Sequence, residues 1–395
     1  GFACLLHEKP YEGVSGSGKH DNWSITTDNG INMLDPGDTP NENIQFLLVL
    51  ACIMKAVDTH ADLLRQSAAD VGNDRRLGAS EAPPVIISIF LGEQLEDVVK
   101  QLVETGVASS AKKGEKLATG VSTLPDFVKD ATDRNRTSPF AFTGNKFEFR
   151  TVGSSDSIAS PNTTINAIVA EAFCEAADRL EKAEDFDMAV HDLIKEYMTK
   201  HQRILFSGNG YSKEWYEEAM RRGLPNIKSM VEAVGSLVKP ETVKMFEGFG
   251  VFTEAELKSR AEIKYEAYAK AINIEAKTMI DMAGKQIIPL VIFFTTELAN
   301  SVLTVKEAGA DASVQEELLT EVSGYLKDMK KAYKNLIDVT AIASTIDDVV
   351  AQATYFRDEV KTTMDELRAP ADKLEMIVDK EFWPFPSYSE LLFEV

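Results

Sequence analysis

Gly13-Val14-Ser15-Gly16-Ser17-Gly18-Lys19-His20 joins a glycine-rich turn to a cation and an imidazole. The stretch comes within one residue of a P-loop, whose backbone amides cradle phosphates and whose Ser or Thr after the Lys coordinates Mg²⁺. His20 takes that last position. A P-loop also opens a helix, whereas Asp21-Asn22-Trp23-Ser24-Ile25-Thr26-Thr27 reads as a strand, so an ordinary P-loop ATPase is excluded. An imidazole at the start of a strand, directly after a glycine turn, suggests a metal site carried by a sheet.

Alternate side chains of a strand share a face, so His20, Asn22 and Ser24 project together while Trp23 and Ile25 point the other way. Asn145-Lys146-Phe147-Glu148-Phe149-Arg150 has the same form. Lys146, Glu148 and Arg150 share one face, and two Phe on the other fix the register. The charged face either meets solvent or lines a cleft. Asp133-Arg134-Asn135-Arg136-Thr137-Ser138 sets two arginines around an Asn, which suits a phosphate clamp or a surface turn. Arg75-Arg76-Leu77-Gly78-Ala79-Ser80-Glu81-Ala82-Pro83-Pro84 reads as a mobile loop, and mobile loops over active sites often carry an acid.

These segments need elements to hold them. Thr39-Pro40-Asn41-Glu42 is a capping box with Pro at the first helical position, predicting a helix through Phe46-Leu47-Leu48 to about Gln66. Ser160-Pro161 predicts the start of another helix, with Ile165, Ile168 and Val169. Val85 to Phe90 suits a buried strand followed by a helix. Strand signals almost vanish from about residue 173, which places a boundary between 1–172 and 173–395. In the second part Leu318, Val322, Tyr325, Met329, Ala332, Leu336 and Val339 form a seam of helix packing, and Ile272, Ala276, Met279 and Ala283 share a face.

The 395 residues hold 63 acidic and 42 basic side chains, a net charge of −21, which disfavours sequence-independent nucleic-acid binding. Cys4, Cys52 and Cys174 lie far apart in apolar stretches and read as buried reduced thiols. The longest apolar runs, Phe46 to Met54 and Ile287 to Phe294, are too short to span a bilayer, predicting a soluble protein. The sequons at Asn22, Asn135 and Asn162 are expected to carry no glycan, no signal peptide being recognised in the sequence. The apolar, strand-like start Phe2 to Leu6 reads as the continuation of a longer chain.

Gly-Ser-Gly-x-His, Arg-Leu-Gly-x-x-Glu-Ala-Pro, Arg-Asn-Arg-Thr-Ser and Phe-Glu-Phe-Arg follow one another in that order. In this the chain resembles the glutamine synthetase family, its type III branch in particular. Leu5-Leu6-His7-Glu8-Lys9-Pro10, Lys19 to Ser24, Ile272-Asn273-Ile274-Glu275-Ala276 and Trp383-Pro384-Phe385-Pro386 extend the likeness over nearly all of the chain. It implies an α+β fold: the C-terminal part of a glutamine synthetase/guanido kinase-like catalytic domain, an antiparallel sheet with helices, then an all-helical extension. Residues from about 85 to 130 fit a type III insertion.

The resemblance implies a cytoplasmic enzyme of nitrogen assimilation, forming glutamine from glutamate, ammonium and ATP through γ-glutamyl phosphate. His20 and Glu148 match ligands of a divalent metal, Mg²⁺ or Mn²⁺. Arg136 and Arg150 match residues at the transferring phosphate. Gly16, Arg76 and Arg150 match the glutamate site, Asn22, Ser24 and Arg136 the nucleotide site, and Glu81 the flap acid that accepts a proton from ammonium. The family forms rings, a dodecamer of two hexamers, with neither nucleic acid nor membrane as partner. Ser15 stands where the family often has Asn, and Ala141 near a further family arginine, with Lys146 a candidate substitute. The family's upstream glutamate-bearing strands and β-grasp domain find no match, so an incomplete catalytic portion is expected, with unpaired sheet edges that favour aggregation or a partner chain. The alternatives are a non-catalytic assembly or regulatory module with a vestigial site, and a γ-glutamyl ligase acting on another amine.

Overall fold

Asp21 and Trp23 are buried while Lys19, His20 and Asn22 are exposed, so β1 (Gly18–Trp23) presents one polar face as its alternation requires. The computed structural model describes Lys9, residues 13–78, 80–109, 116–117, 127–128, 135, 137–386 and Glu390. These belong to two compact units, Leu6–Ala261 and Glu262–Val395 with Gly1–Leu5.

In the first unit β1 is followed by α1 (Ile44–Thr59), α2 (Ala61–Ser67), α3 (Val71–Arg76), β2 (Ile89–Phe90) and α4 (Glu93–Thr105). β3 (Lys116–Leu117) and β4 (Phe127–Val128) form a separate antiparallel pair. β5 (Phe140–Phe142) and β6 (Phe147–Gly153) complete a four-stranded sheet in the order β1-β6-β5-β2. Its pairings are antiparallel except β2, which lies parallel to β5. Opposite residues include Asn22 with Glu148, Phe140 with Phe149 and Phe142 with Phe147. On the apolar side Phe140 stacks on Phe147 with centroids 4.6 Å apart, and Phe46 of α1 closes on Phe142 at 5.9 Å. Each buried Phe contributes about 1.5–3 kcal/mol, and a one-residue slip of β6 would expose both of its own.

Behind the sheet α1 packs against α5 (Ala159–Leu180) and α6 (Phe186–His201). α7 (Lys213–Arg221), α8 (Met230–Val234) and α9 (Pro240–Gly248) follow. α1 starts later than the Thr39 box predicts. Thr39 to Glu42 closes as a turn, and Asn43, next to the apolar run, caps the helix by accepting from the Phe46 amide at 3.0 Å. The expected single helix to Gln66 also breaks at His60, whose ring bonds Glu171 at 2.6 Å. α5 begins at Ala159 without a side-chain cap, and Pro161 occupies its first turn, where no amide is needed. The composition break at 172 falls inside α5, because α5 to α9 pack with the sheet-bearing half, and the compact units divide after Ala261.

α10 (Glu254–Met282), α11 (Ile288–Glu307), α12 (Ser313–Ala343), α13 (Val349–Tyr355) and α14 (Lys361–Ile377) account for the rest, with no strand among the described residues. The predicted seam is a packing face: Val322, Met329 and Leu336 are fully buried where α12 meets α11 and α14. Ile272, Ala276 and Ala283 are buried in the same way. One helical run, Glu254–Glu307, is long and apolar enough by length and composition to cross a bilayer. Uninterrupted apolar runs missed it because Thr and Asn punctuate the apolar window. Of the thiols, Cys52 is buried as expected but Cys174 is exposed, since it lies on the outer face of α5, and Cys4 lies outside the described residues.

Candidate active site

The polar edge of the sheet gathers His20, Asn22, Glu148 and Arg150. Trp23 anchors β1 from behind by donating to Asn166 of α5 at 2.9 Å, which turns His20 and Asn22 outward. Between Lys19 and Asp21 the register slips, so that His20 alone stands against two residues of β6, and His20 lies diagonally from Glu148, which pairs with Asn22. His20 Nδ1 lies 3.7 Å from Glu148 Oε2. That same oxygen accepts from Arg150 Nε at 3.2 Å and Nη2 at 3.1 Å. Partial burial and then the Arg150 guanidinium hold the His20 imidazole below its ordinary pKa, against the pull of Glu148. A neutral ring keeps a lone pair for a ligand.

Arg150 is almost fully buried and also donates to the Asn135 carbonyl. Arg76, expected on a mobile loop, ends α3 and is 3% exposed. Its Nη1 reaches Asn73 at 3.1 Å and the carbonyls of Thr151 and Val152 at 3.2 and 3.3 Å, and its Nη2 reaches the Arg150 carbonyl at 3.3 Å. Here it fastens α3 to β6. Glu81 is exposed on the turn after α3, with φ of 67° following 51° at Ser80. Gly16 is half-buried and Ser24 exposed just past the end of β1. Lys146 closes the β5–β6 hairpin through its carbonyl, which accepts from Thr143. Arg134 and Arg136 lie outside the described residues.

Sequence reasoning missed the turn Ser207-Gly208-Asn209-Gly210-Tyr211. Asn135 donates to the carbonyls of Ser207 and Gly208 at 3.1 and 2.8 Å, and Tyr211 donates from its hydroxyl to the Ala82 carbonyl at 2.7 Å. Two glycines around an Asn were the available signal. A cavity of about 1010 Å³ lined by α4 and residues 199–208 contains none of the expected site residues.

Two donors suit one ion, because ligands about 2.1 Å from a metal stand at most about 4.2 Å apart, and His20 and Glu148 meet that limit at 3.7 Å. Two donors do not complete a shell. No group of three or more His, Cys, Asp or Glu able to hold a metal occurs among the described residues.

The His20–Glu148 pair and the buried Arg150 on one polar sheet edge make up the candidate site of a mixed α and β protein. Residues 189–306 match the family model of the glutamine synthetase C-terminal domain. The whole chain is 40% identical to the Type-3 glutamine synthetase of Dictyostelium discoideum and 41% identical to the glutamine synthetase of Butyrivibrio fibrisolvens, over 55% and 56% of those proteins. It is 38% identical, over 99% of its length, to the glutamine synthetase of Bacteroides fragilis (strain YCH46). The chain is thus a relative of the glutamine synthetases along its whole length, the type-3 enzyme among them. It spans about 55% of the length of these curated relatives.

Proposed function

We propose that this chain carries part of the site of an ATP-dependent glutamate–ammonia ligase. The observation that carries the reading is the shared Glu148 oxygen, placed between His20 and Arg150 on neighbouring strands of a chain about 40% identical to glutamine synthetases. In the proposed reaction a glutamate γ-carboxylate oxygen attacks the γ-phosphorus of ATP, and ADP leaves. Ammonia then attacks the acyl carbon, and phosphate departs with the C–O electron pair.

His20 and Glu148 would hold a divalent ion, Mg²⁺ or Mn²⁺, which when bound offsets the charge of the phosphates. Arg150 stabilises charge on the transferring group from a buried position, where a guanidinium attracts an anion more strongly than in water. Glu81 accepts the proton lost by ammonium, and its turn keeps water from the acyl phosphate. Asn22, directly opposite Glu148, and Ser24 would contact the nucleotide, Gly16 and Arg76 the glutamate, and Arg136 the transferring phosphate. Assembly into a ring of like chains belongs to the same proposal.

The test is phosphate release from ATP in the protein as the cell makes it. Release that requires both glutamate and ammonium, and is abolished by Glu148→Ala, is the expected result. Release indifferent to glutamate sinks the reading. The sparse donor set favours one second reading, a non-catalytic module with a vestigial site. Mn²⁺ titration with and without ATP separates the two, since a vestigial site leaves Mn²⁺ unbound in a folded protein.

A further inference from the structure

Ser80 and Glu81 both occupy left-handed backbone, at φ of 51° and 67°, and Gly78 at 93° donates to the Pro83 carbonyl at 3.0 Å to close the turn. Side-chain-bearing residues avoid that region, so neighbouring structure must hold the turn. The Tyr211 hydroxyl does so at the residue after the acid, by donating to the Ala82 carbonyl at 2.7 Å. Burial and then the negative charge of Glu81 push the phenol pKa up, as expected of a hydroxyl facing this turn.

The segment that carries Tyr211 also bonds Asn135 and Thr137. The Gly210 amide donates to Thr137 Oγ1 at 2.9 Å, and that hydroxyl donates onward to Asn135 Oδ1 at 2.7 Å. Asn135 returns two bonds to the carbonyls of Ser207 and Gly208, while its own carbonyl receives Arg150. Gly210 sits close to both neighbours: a β-carbon there would stand 3.1 Å from Thr137 and 3.2 Å from Pro84, a tight contact on each side. Ser207, Gly208 and Gly210 thus bond Asn135 and Thr137 on one side, and Tyr211 bonds the acid-bearing turn on the other.

We propose that Tyr211 is a positioning residue for Glu81, and that Ser207–Tyr211 is a latch tying the acid turn to Asn135 and Thr137. The site's role rests on the ligase reading above; the latch itself does not. Tyr211 is 37% exposed, so Tyr211→Phe removes the hydroxyl without opening a core cavity. The first measurement is amide hydrogen exchange over residues 77–84 without substrate. Tyr211→Phe should speed it about five- to tenfold, the factor one lost hydrogen bond allows, with amides of β6 unchanged. Thr137→Val, cutting the other arm, should speed exchange at Gly210 and Tyr211.

The second measurement is product partition in the protein as the cell makes it. Tyr211→Phe should raise phosphate released without glutamine and lower kcat, leaving the KM for ATP unchanged. Exchange that stays at the wild-type rate, or quickens equally in β6, overturns the latch. Exchange that quickens while partition does not overturns the positioning of Glu81. Wild-type protein that makes no glutamine counts against the ligase reading alone, and exchange then decides the latch.

Discussion

Gly18 lies directly on the guanidinium of Arg76: a β-carbon at 18 would overlap Nη2 and Cζ. The last glycine of the Gly-Ser-Gly turn therefore lets β1 cross an arginine whose Nη1 and Nη2 reach the backbone of β6. Gly18→Ala should cost about 1–3 kcal/mol by overpacking, which lowers Tm by a few degrees. Arg76→Ala removes the obstacle, so the double variant should be destabilised by less than the sum of the singles. Urea unfolding of the four proteins measures this coupling, and strict additivity would refute the contact.

Glu148→Gln keeps the side chain's shape but removes the charge shared by His20 and Arg150. If His20 and Glu148 hold a divalent ion as proposed, Mn²⁺ affinity should fall about tenfold or more, while the fold persists because Arg150 keeps its bond to Asn135. His20→Ala should weaken Mn²⁺ binding comparably. A paramagnetic titration of free Mn²⁺ reads both variants, and unchanged binding in either would remove that residue from the metal site.

Cys174 is exposed on α5, whereas Cys52 is buried in α1 with its thiol pushed up to about 12, chiefly by burial. The thiolate is the reactive form and Cys52 is both buried and slow to ionise, so at pH 8 it should be alkylated much more slowly than the exposed Cys174. Peptide mapping after timed iodoacetamide treatment checks the order, and denaturant should abolish the difference.

The alternation of Trp23, Phe147 and Phe149 was legible because burial in a strand repeats every second residue, and it put His20 and Asn22 on one face of their strand and Glu148 and Arg150 on one face of theirs, without saying that the two strands pair. The helix start was ambiguous for a local reason: Thr39 and Asn43 can both cap, and only contact with the core selects Asn43. Arg76 was misplaced because its acceptors, residues 150 to 152, lie more than 70 positions away along the chain. Tyr211 was invisible for the same reason, its partner Ala82 being 129 residues distant. Periodicity reports which face is wet, not which backbone carbonyl a polar side chain will find.

Glu171 of α5 accepts from His60 at 2.6 Å at the break between α1 and α2, and that hydrogen bond, more than any other influence, holds its carboxyl below the usual range. Burial pulls the other way, and Lys55 of α1 and Lys244 of α9 add attraction. A carboxylate with a depressed folded-state pKa contributes stability above its unfolded value, near 4.3, and loses it as pH falls through the folded value. With 34% of the Glu171 side chain in water, the contribution at pH 7 should be about 1 kcal/mol. Glu171→Gln should therefore be less stable than wild type by that amount at pH 7, with the gap closing as pH drops below the ordinary carboxylate range. Urea unfolding between pH 3 and pH 7 measures the gap. A gap that stays constant or widens toward acid would mean that His60 is held by burial alone and that the break at His60 owes nothing to the ion pair.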